Sequence, residues 1–158
     1  MFGSDVKRFT LRTLDEVCDV SSALARYFSD SGNIRVGLYE LLLNAVEHGN
    51  LGIGFDRKTA LLREGRWDEE IKRRLLMPVF CDRFVTVDLV CDALVAQIAI
   101  ADQGRGFFWR GRLRRSLDAS RPNGRGLIMA EQCGFNRIAY NPLGNKVVCT
   151  GVCQNIKG

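Results

Sequence analysis

No apolar run in this 158-residue chain approaches the ~20 residues that span a bilayer. The first residues, Met1-Phe2-Gly3-Ser4-Asp5, lack a basic segment followed by an apolar stretch, so no secretory leader is expected. None of the six cysteines (Cys18, Cys81, Cys91, Cys133, Cys149, Cys153) stands in a CxxC pair, which argues against a zinc knuckle or a dithiol redox motif. Most lie in apolar surroundings, such as Val17-Cys18, Val90-Cys91 and Val148-Cys149, and read as free thiols in a reducing compartment. Internal repeats, low-complexity tracts and linker-like stretches are also missing. Hydrophobic residues make up 46% and charged residues 26%, which excludes disordered, collagen-like and coiled-coil classes. A cytoplasmic protein, or one domain of a larger cytoplasmic chain, is expected. Residues 1–158 suffice for a single domain with its own core.

What is present is unevenly distributed. The net charge is +5, yet residues 103–125 alone hold seven arginines (Arg105, Arg110, Arg112, Arg114, Arg115, Arg121, Arg125) against one acid, Asp118. The excess positive charge is therefore local and marks one region for contact with an anion.

Periodicity gives the elements. Residues 6–12 read as a short strand. Leu14, Val17, Cys18, Ser21, Leu24, Ala25 and Phe28 recur at helical spacing, and Asp30-Ser31-Gly32-Asn33 ends that helix. A second helix carries Ile34, Leu38, Leu41, Leu42 and Ala45, with a glycine cap expected at His48-Gly49-Asn50. A charged helical insert covers about 51–80, with Trp67, Ile71, Leu75 and Leu76 as its inner face and Pro78 as its stop. Strands are expected at 84–90, 94–101, 135–140 and 147–152, with a helix from Leu127 to Cys133. Helices first and strands later predict a two-layer α/β sandwich, with a mixed, mostly antiparallel sheet covered by helices on one face.

Three segments carry chemistry. Glu40, Asn44 and His48 fall at i, i+4 and i+8, one polar stripe beside an apolar one. Alone, such a stripe is most often a solvated helix face. Asp102-Gln103-Gly104-Arg105-Gly106 follows an apolar strand, so its acid sits at a strand end beside backbone that can approach a ligand closely. A buried carboxylate there can accept a hydrogen bond from an exocyclic amino group. Asn123-Gly124-Arg125-Gly126 precedes a helix, where exposed N–H groups suit phosphate oxygens. One Gly-x-Gly is a weak signal, whereas two such loops after a Glu/Asn helix, in this order, are far more specific.

The three segments resemble the boxes of the GHKL, or Bergerat-fold, ATPases. Glu40-Leu41-Leu42-Leu43-Asn44-Ala45-Val46-Glu47-His48-Gly49 is similar to the N-box, Asp102 to Phe107 to the first glycine box, and Gly124-Arg125-Gly126-Leu127 to the second. The His-Gly ending of the N-box resembles that of bacterial anti-sigma-factor serine kinases, and the likeness spans roughly residues 6–153. The resemblance implies a histidine-kinase-like ATPase fold, Mg²⁺ as cofactor and ATP as substrate. It implies Glu40 as general base, Asn44 as Mg²⁺ ligand and Asp102 as the adenine reader. Gly104 and Gly106 would let the chain run close to the nucleotide, and Gly124, Arg125 and Gly126 would cradle its phosphates. Such roles suit phosphoryl transfer, which depends on positioning and charge neutralisation. The implied partners are a STAS-type anti-sigma-factor antagonist, whose serine receives the phosphate, and a sigma factor. The chain departs from the family in two places. Gly144-Asn145-Lys146-Val147 stands where many members carry a threonine, and the 51–80 insert is long.

The insert's mixed charges read first as a solvated surface and second as a partner or homodimer face. Arg112, Arg114 and Arg115 are candidate phosphate contacts in the segment between the glycine boxes. The alternative within the superfamily is the catalytic or output domain of a larger sensor histidine kinase or response-regulator protein. The chain's one histidine, His48, lies inside the N-box and cannot serve as an upstream phospho-acceptor. A non-catalytic ATP-binding module would be expected to have lost Glu40 or Asn44, and both are present. Nucleic-acid binding ranks last, because Phe107, Phe108 and Trp109 are the only candidates for a stacking platform near the arginines.

Overall fold

The structure, a computed structural model, describes residues 5–107 and 133–154. Gly124, Arg125, Gly126, the arginines from Arg110 to Arg125 and all of the helix expected over 127–133 except Cys133 lie outside those residues.

The chain begins with β1 (Lys7–Leu11) and α1 (Leu14–Ala25). Thr13 starts α1 with a reciprocal cap: its hydroxyl accepts from the Glu16 N–H, and the Glu16 carboxylate accepts from the Thr13 N–H. Val17, Ser21, Leu24 and Ala25 form the buried stripe, while Cys18 points outward. Cys18 is one residue past the inner stripe, so it drops out of the expected core. Two tight bonds, Tyr27 N–H to Leu24 and Phe28 N–H to Ala25, turn the chain into α2 (Ser31–Asn44). That helix buries Ile34, Leu38, Leu41 and Leu42. It runs on without a cap into a π-helical segment, Ala45–Asn50.

The insert forms two helices, α3 (Phe55–Glu64) and α4 (Trp67–Leu75), separated at Gly65, which takes the left-handed conformation (φ 68°). Leu61 and Ile71 are its buried anchors. Leu76, expected on the inner face, is 82% exposed because the helix ends at Leu75 before the stripe can include it.

The remaining strands are β2 (Val85–Cys91), β3 (Val95–Ala101), β4 (Arg137–Tyr140) and β5 (Lys146–Val152). They form one sheet in the order β1-β2-β3-β5-β4, and every pairing among the described residues is antiparallel. Val85, Val87 and Leu89 of β2, Ala96, Ile98 and Ile100 of β3, and Val147 and Cys149 of β5 face the helices and are buried. The intervening residues face away, as period-two alternation requires. Although β3 reads as continuously apolar, only one of its faces is covered: Val95 is 44% exposed. The result is a two-layer α/β sandwich, helices on one face of an antiparallel sheet. No helix among the described residues is long and apolar enough to cross a membrane.

Candidate functional site

Glu40 and Asn44 sit one turn apart near the C-terminal end of α2, both partly buried. The stripe expected to continue through His48 is broken between Asn44 and His48. The ladder widens into the π-helix there, which rotates the later residues relative to an α-helical register, and such a bulge commonly marks a functional site. Glu47 consequently turns fully inward. Its carboxylate accepts from Lys58 Nζ at 2.6 Å and from Trp67 Nε1 at 2.5 Å, both supplied by the insert. The His48 ring lies beside it and bonds through Nδ1 to the Ile53 carbonyl.

The glycine cap expected at Gly49 is absent, and Gly49 serves a different purpose. A Cβ on Gly49 would lie 2.3 Å from the carboxyl carbon of Asp102. Only glycine lets the helix end pack against the Asp102 side chain. Gly104 meets the same segment from the other side, where a Cβ would lie 2.2 Å from the Gly49 carbonyl oxygen. Gly106 (φ 80°) and Gly144 (φ 80°) interlock the loop after β3 with the β4–β5 turn; side chains there would collide with the Leu143 and Phe107 carbonyls. The close approach these glycines provide is thus to the protein's own backbone.

Asp102 ends β3 with a rigid set of bonds around it. Its N–H donates to the Asn145 carbonyl (3.0 Å), and its Oδ1 accepts from the Gly104 N–H (2.8 Å). The next residue, Gln103, donates its N–H to Asn50 Oδ1 (2.7 Å), and its side-chain carbonyl accepts from the Phe84 N–H (2.7 Å). Burial pushes the Asp102 carboxyl up to about 6, against the pull of the Gly104 N–H and the Arg83 charge. Burial also raises Glu40; nearby Lys58 pulls it back and Glu47 pushes it further up.

Of these groups Asp102 lines a narrow pocket of about 20 Å³, which it shares with Asn44. Leu41, Ile100 and Val147 give it apolar walls, while Asn44 and Asp102 supply its amide and carboxylate. Phe107 and Tyr140 also line it, with their rings edge to face at 5.5 Å. Gly144, Asn145 and Lys146 also border the pocket. The arrangement offers a carboxylate acceptor with only one bond to a described residue, set among apolar side chains. Asn44 adds one neutral oxygen. Among the described residues no three His, Cys, Asp or Glu side chains gather as a metal centre.

Of the residues singled out from sequence, Asn44 and Asp102 meet in this pocket and Glu40 lies one helical turn away. His48 instead lines a neighbouring cavity. Gly124, Arg125 and Gly126 fall outside the described residues. The sequence assigned no site role to Glu47, Lys58 or Tyr140, and it placed Trp67 only on the inner face of the insert and Asn50 only at the expected helix end. A signal existed for Glu47, an acid directly after the apolar Ala45-Val46 pair, but its partners lie 11 and 20 residues away and no periodicity connects them.

Among solved structures the chain is similar to a mycobacterial sensor histidine kinase, MprB. Identity is 18%, the TM-score is 0.49, and the match covers 96% of this chain and 98% of that one. No family model and no curated protein matches the chain.

Proposed function

We propose that this chain binds Mg·ATP in the Asn44–Asp102 pocket and transfers the γ-phosphate to a protein serine, in the manner of anti-sigma-factor kinases. The observation that carries the nucleotide part is the placement of Asp102. Its carboxylate is half-buried at a strand end, pressed against Gly49 and set among Leu41, Ile100 and Val147. A flat heteroaromatic ring fits such apolar walls, and an exocyclic amino group offers the donor that Asp102 lacks. This selects adenine over guanine, whose corresponding position is a carbonyl. Entry of a base requires the pocket to widen, because the present volume of about 20 Å³ is too small for one.

Asn44, one α-helical turn past Glu40, would contribute a single oxygen to Mg²⁺, with phosphate oxygens and water filling the remaining positions. The residues fit that ion, since Mg²⁺ in nucleotide sites commonly takes few protein ligands. The ion would neutralise phosphate charge. Glu40 would orient the attacking serine hydroxyl and accept its proton; burial raises its pKa, a direction that makes it a stronger base. The serine-kinase part and the STAS-type partner rest on the N-box resemblance ending in His48-Gly49.

Two measurements test the proposal. Mg·ADP should raise the melting temperature, by about 2.7 kcal/mol of stabilisation at a hundred times Kd. Labelled ATP should then transfer phosphate to a serine of a candidate STAS-type protein. Absence of the thermal shift removes the nucleotide reading. A shift without transfer to any such protein leaves a nucleotide-binding domain of another kind.

A further inference from the structure

A second cavity, of about 550 Å³, lies between the insert and the loop that follows Asp102. It is far larger than a packing void and falls in the range of small-molecule sites. Gly49 and Phe107 line both it and the narrow pocket, so the two are neighbours. Its walls combine two features. Phe55, Phe80 and Phe107 contribute aromatic surface, while Arg83 and Arg105 contribute positive charge. Among the described residues no Asp or Glu lines it.

The Arg83 charge also acts on the Asp102 carboxyl of the narrow pocket. Among the described residues, neither arginine has a carboxylate within ion-pair distance. Arg83 is nevertheless fixed: its Nη1 donates to the Asn50 carbonyl at 3.0 Å, and its guanidinium lies 5.3 Å from the Phe80 ring centroid. An arginine has five N–H donors, so several remain for a ligand. Arg105 is exposed on the opposing loop. Two arginines from different elements bordering one aromatic-lined cavity match an anion with a flat apolar body. The rings would cover its faces and the guanidinium groups would bind its charged head.

We infer that this cavity is a binding site for a small aromatic anion, a planar ring system bearing a carboxylate, sulfonate or phosphate, distinct from the nucleotide pocket. The inference does not depend on the nucleotide reading. It gives the insert a purpose, since Phe55, Val79, Phe80 and Arg83 come from the insert and the segment that leads out of it.

The probe is 8-anilinonaphthalene-1-sulfonate, which has this chemistry and fluoresces when shielded from water. The folded full chain should bind it saturably, at one site per chain. Arg105→Ala, at an exposed position, should weaken binding about tenfold, the cost of one charge-assisted hydrogen bond. Gly54 lines the cavity in an extended conformation (φ −67°, ψ 163°), and a Cβ there meets no atom within 4 Å. Gly54→Trp should therefore occupy the cavity and abolish binding. Saturating Mg·ADP should leave the probe bound. Non-saturable binding, or affinity unchanged in both variants, would overturn the inference. Competitive displacement by Mg·ADP would also overturn it, by assigning the cavity to the nucleotide. If Mg·ADP produces no thermal shift, the nucleotide reading fails while the probe titration still decides this one.

Discussion

Two regions of the molecule treat carboxylates drawn out of water in opposite ways. On the insert side, Glu47 of the π-helix is fully buried and held by Lys58 and Trp67 of the insert, and Glu70 is 7% exposed and held by Arg73 and Arg74. The two arginines hold the Glu70 carboxyl down to about 2. In the pocket, Asp102 has one N–H donor among the described residues and is pushed up to about 6 by burial. Glu40 is raised for the same reason. A carboxylate that holds structure together comes with its partners, whereas one left short of donors is available to a ligand. The insert and pocket also meet: Lys58 and Trp67 grip the π-helix from which Gly49 presses on Asp102.

Breaking the insert side should have the largest effect. Glu47→Ala leaves a buried lysine and an indole N–H without their acceptor, and it should cost about 3–5 kcal/mol in denaturant unfolding. A loss under ~1 kcal/mol would mean that Lys58 and Trp67 find water, and the grip on the π-helix would be unimportant. On the pocket side, Asp102→Asn should do the reverse. It removes a charge that burial penalises, so the nucleotide-free protein should melt no lower than wild type while the thermal shift with Mg·ADP disappears. Glu40→Gln should keep that shift and lose phosphoryl transfer by about 10²–10⁴-fold.

A pH series sharpens the contrast. The Asp102 carboxyl titrates higher folded (about 6) than its ordinary 3.8, so its contribution to stability is fullest below 3.8 and is lost as pH rises through about 6. Wild type should lose melting temperature relative to Asp102→Asn across that window and then level off. Glu70, held at about 2 against an ordinary 4.5, contributes fully above 4.5 and loses its contribution as pH falls through about 2. The gap between wild type and Glu70→Gln should therefore close towards acid. The smallest effect belongs to the surface. Arg8 reaches Asp88 at 2.7 Å across β1 and β2, but its side chain is 65% exposed, so Arg8→Ala should leave the melting temperature unchanged.

The residues that could be placed from sequence were those whose role is encoded within a few positions. Alternation located β2, period 3.6 located α1 and α2, and the acid at the end of an apolar strand pointed to Asp102. The π-helix was hidden because Ala45–Asn50 continues an ordinary helical pattern, while the insert and the Asp102 loop that pack on it come from distant segments. Gly49 looked like a cap for the same reason, and its true neighbour is Asp102, 53 residues further on.

By itself, then, the sequence determined the α/β class, the strands and the identity of the polar groups available at Glu40, Asn44 and Asp102. Local preference and hydrophobic period act over single turns and strands, and they are written in consecutive residues. Only the tertiary structure decided that Asn44 and Asp102 share a pocket while His48 does not, and that Glu47 is a buried anchor. It also decided that Arg83 and Arg105 border one cavity. Each of these depends on burial and on charges brought together from distant segments, and neither can be read from the spacing of residues along the chain.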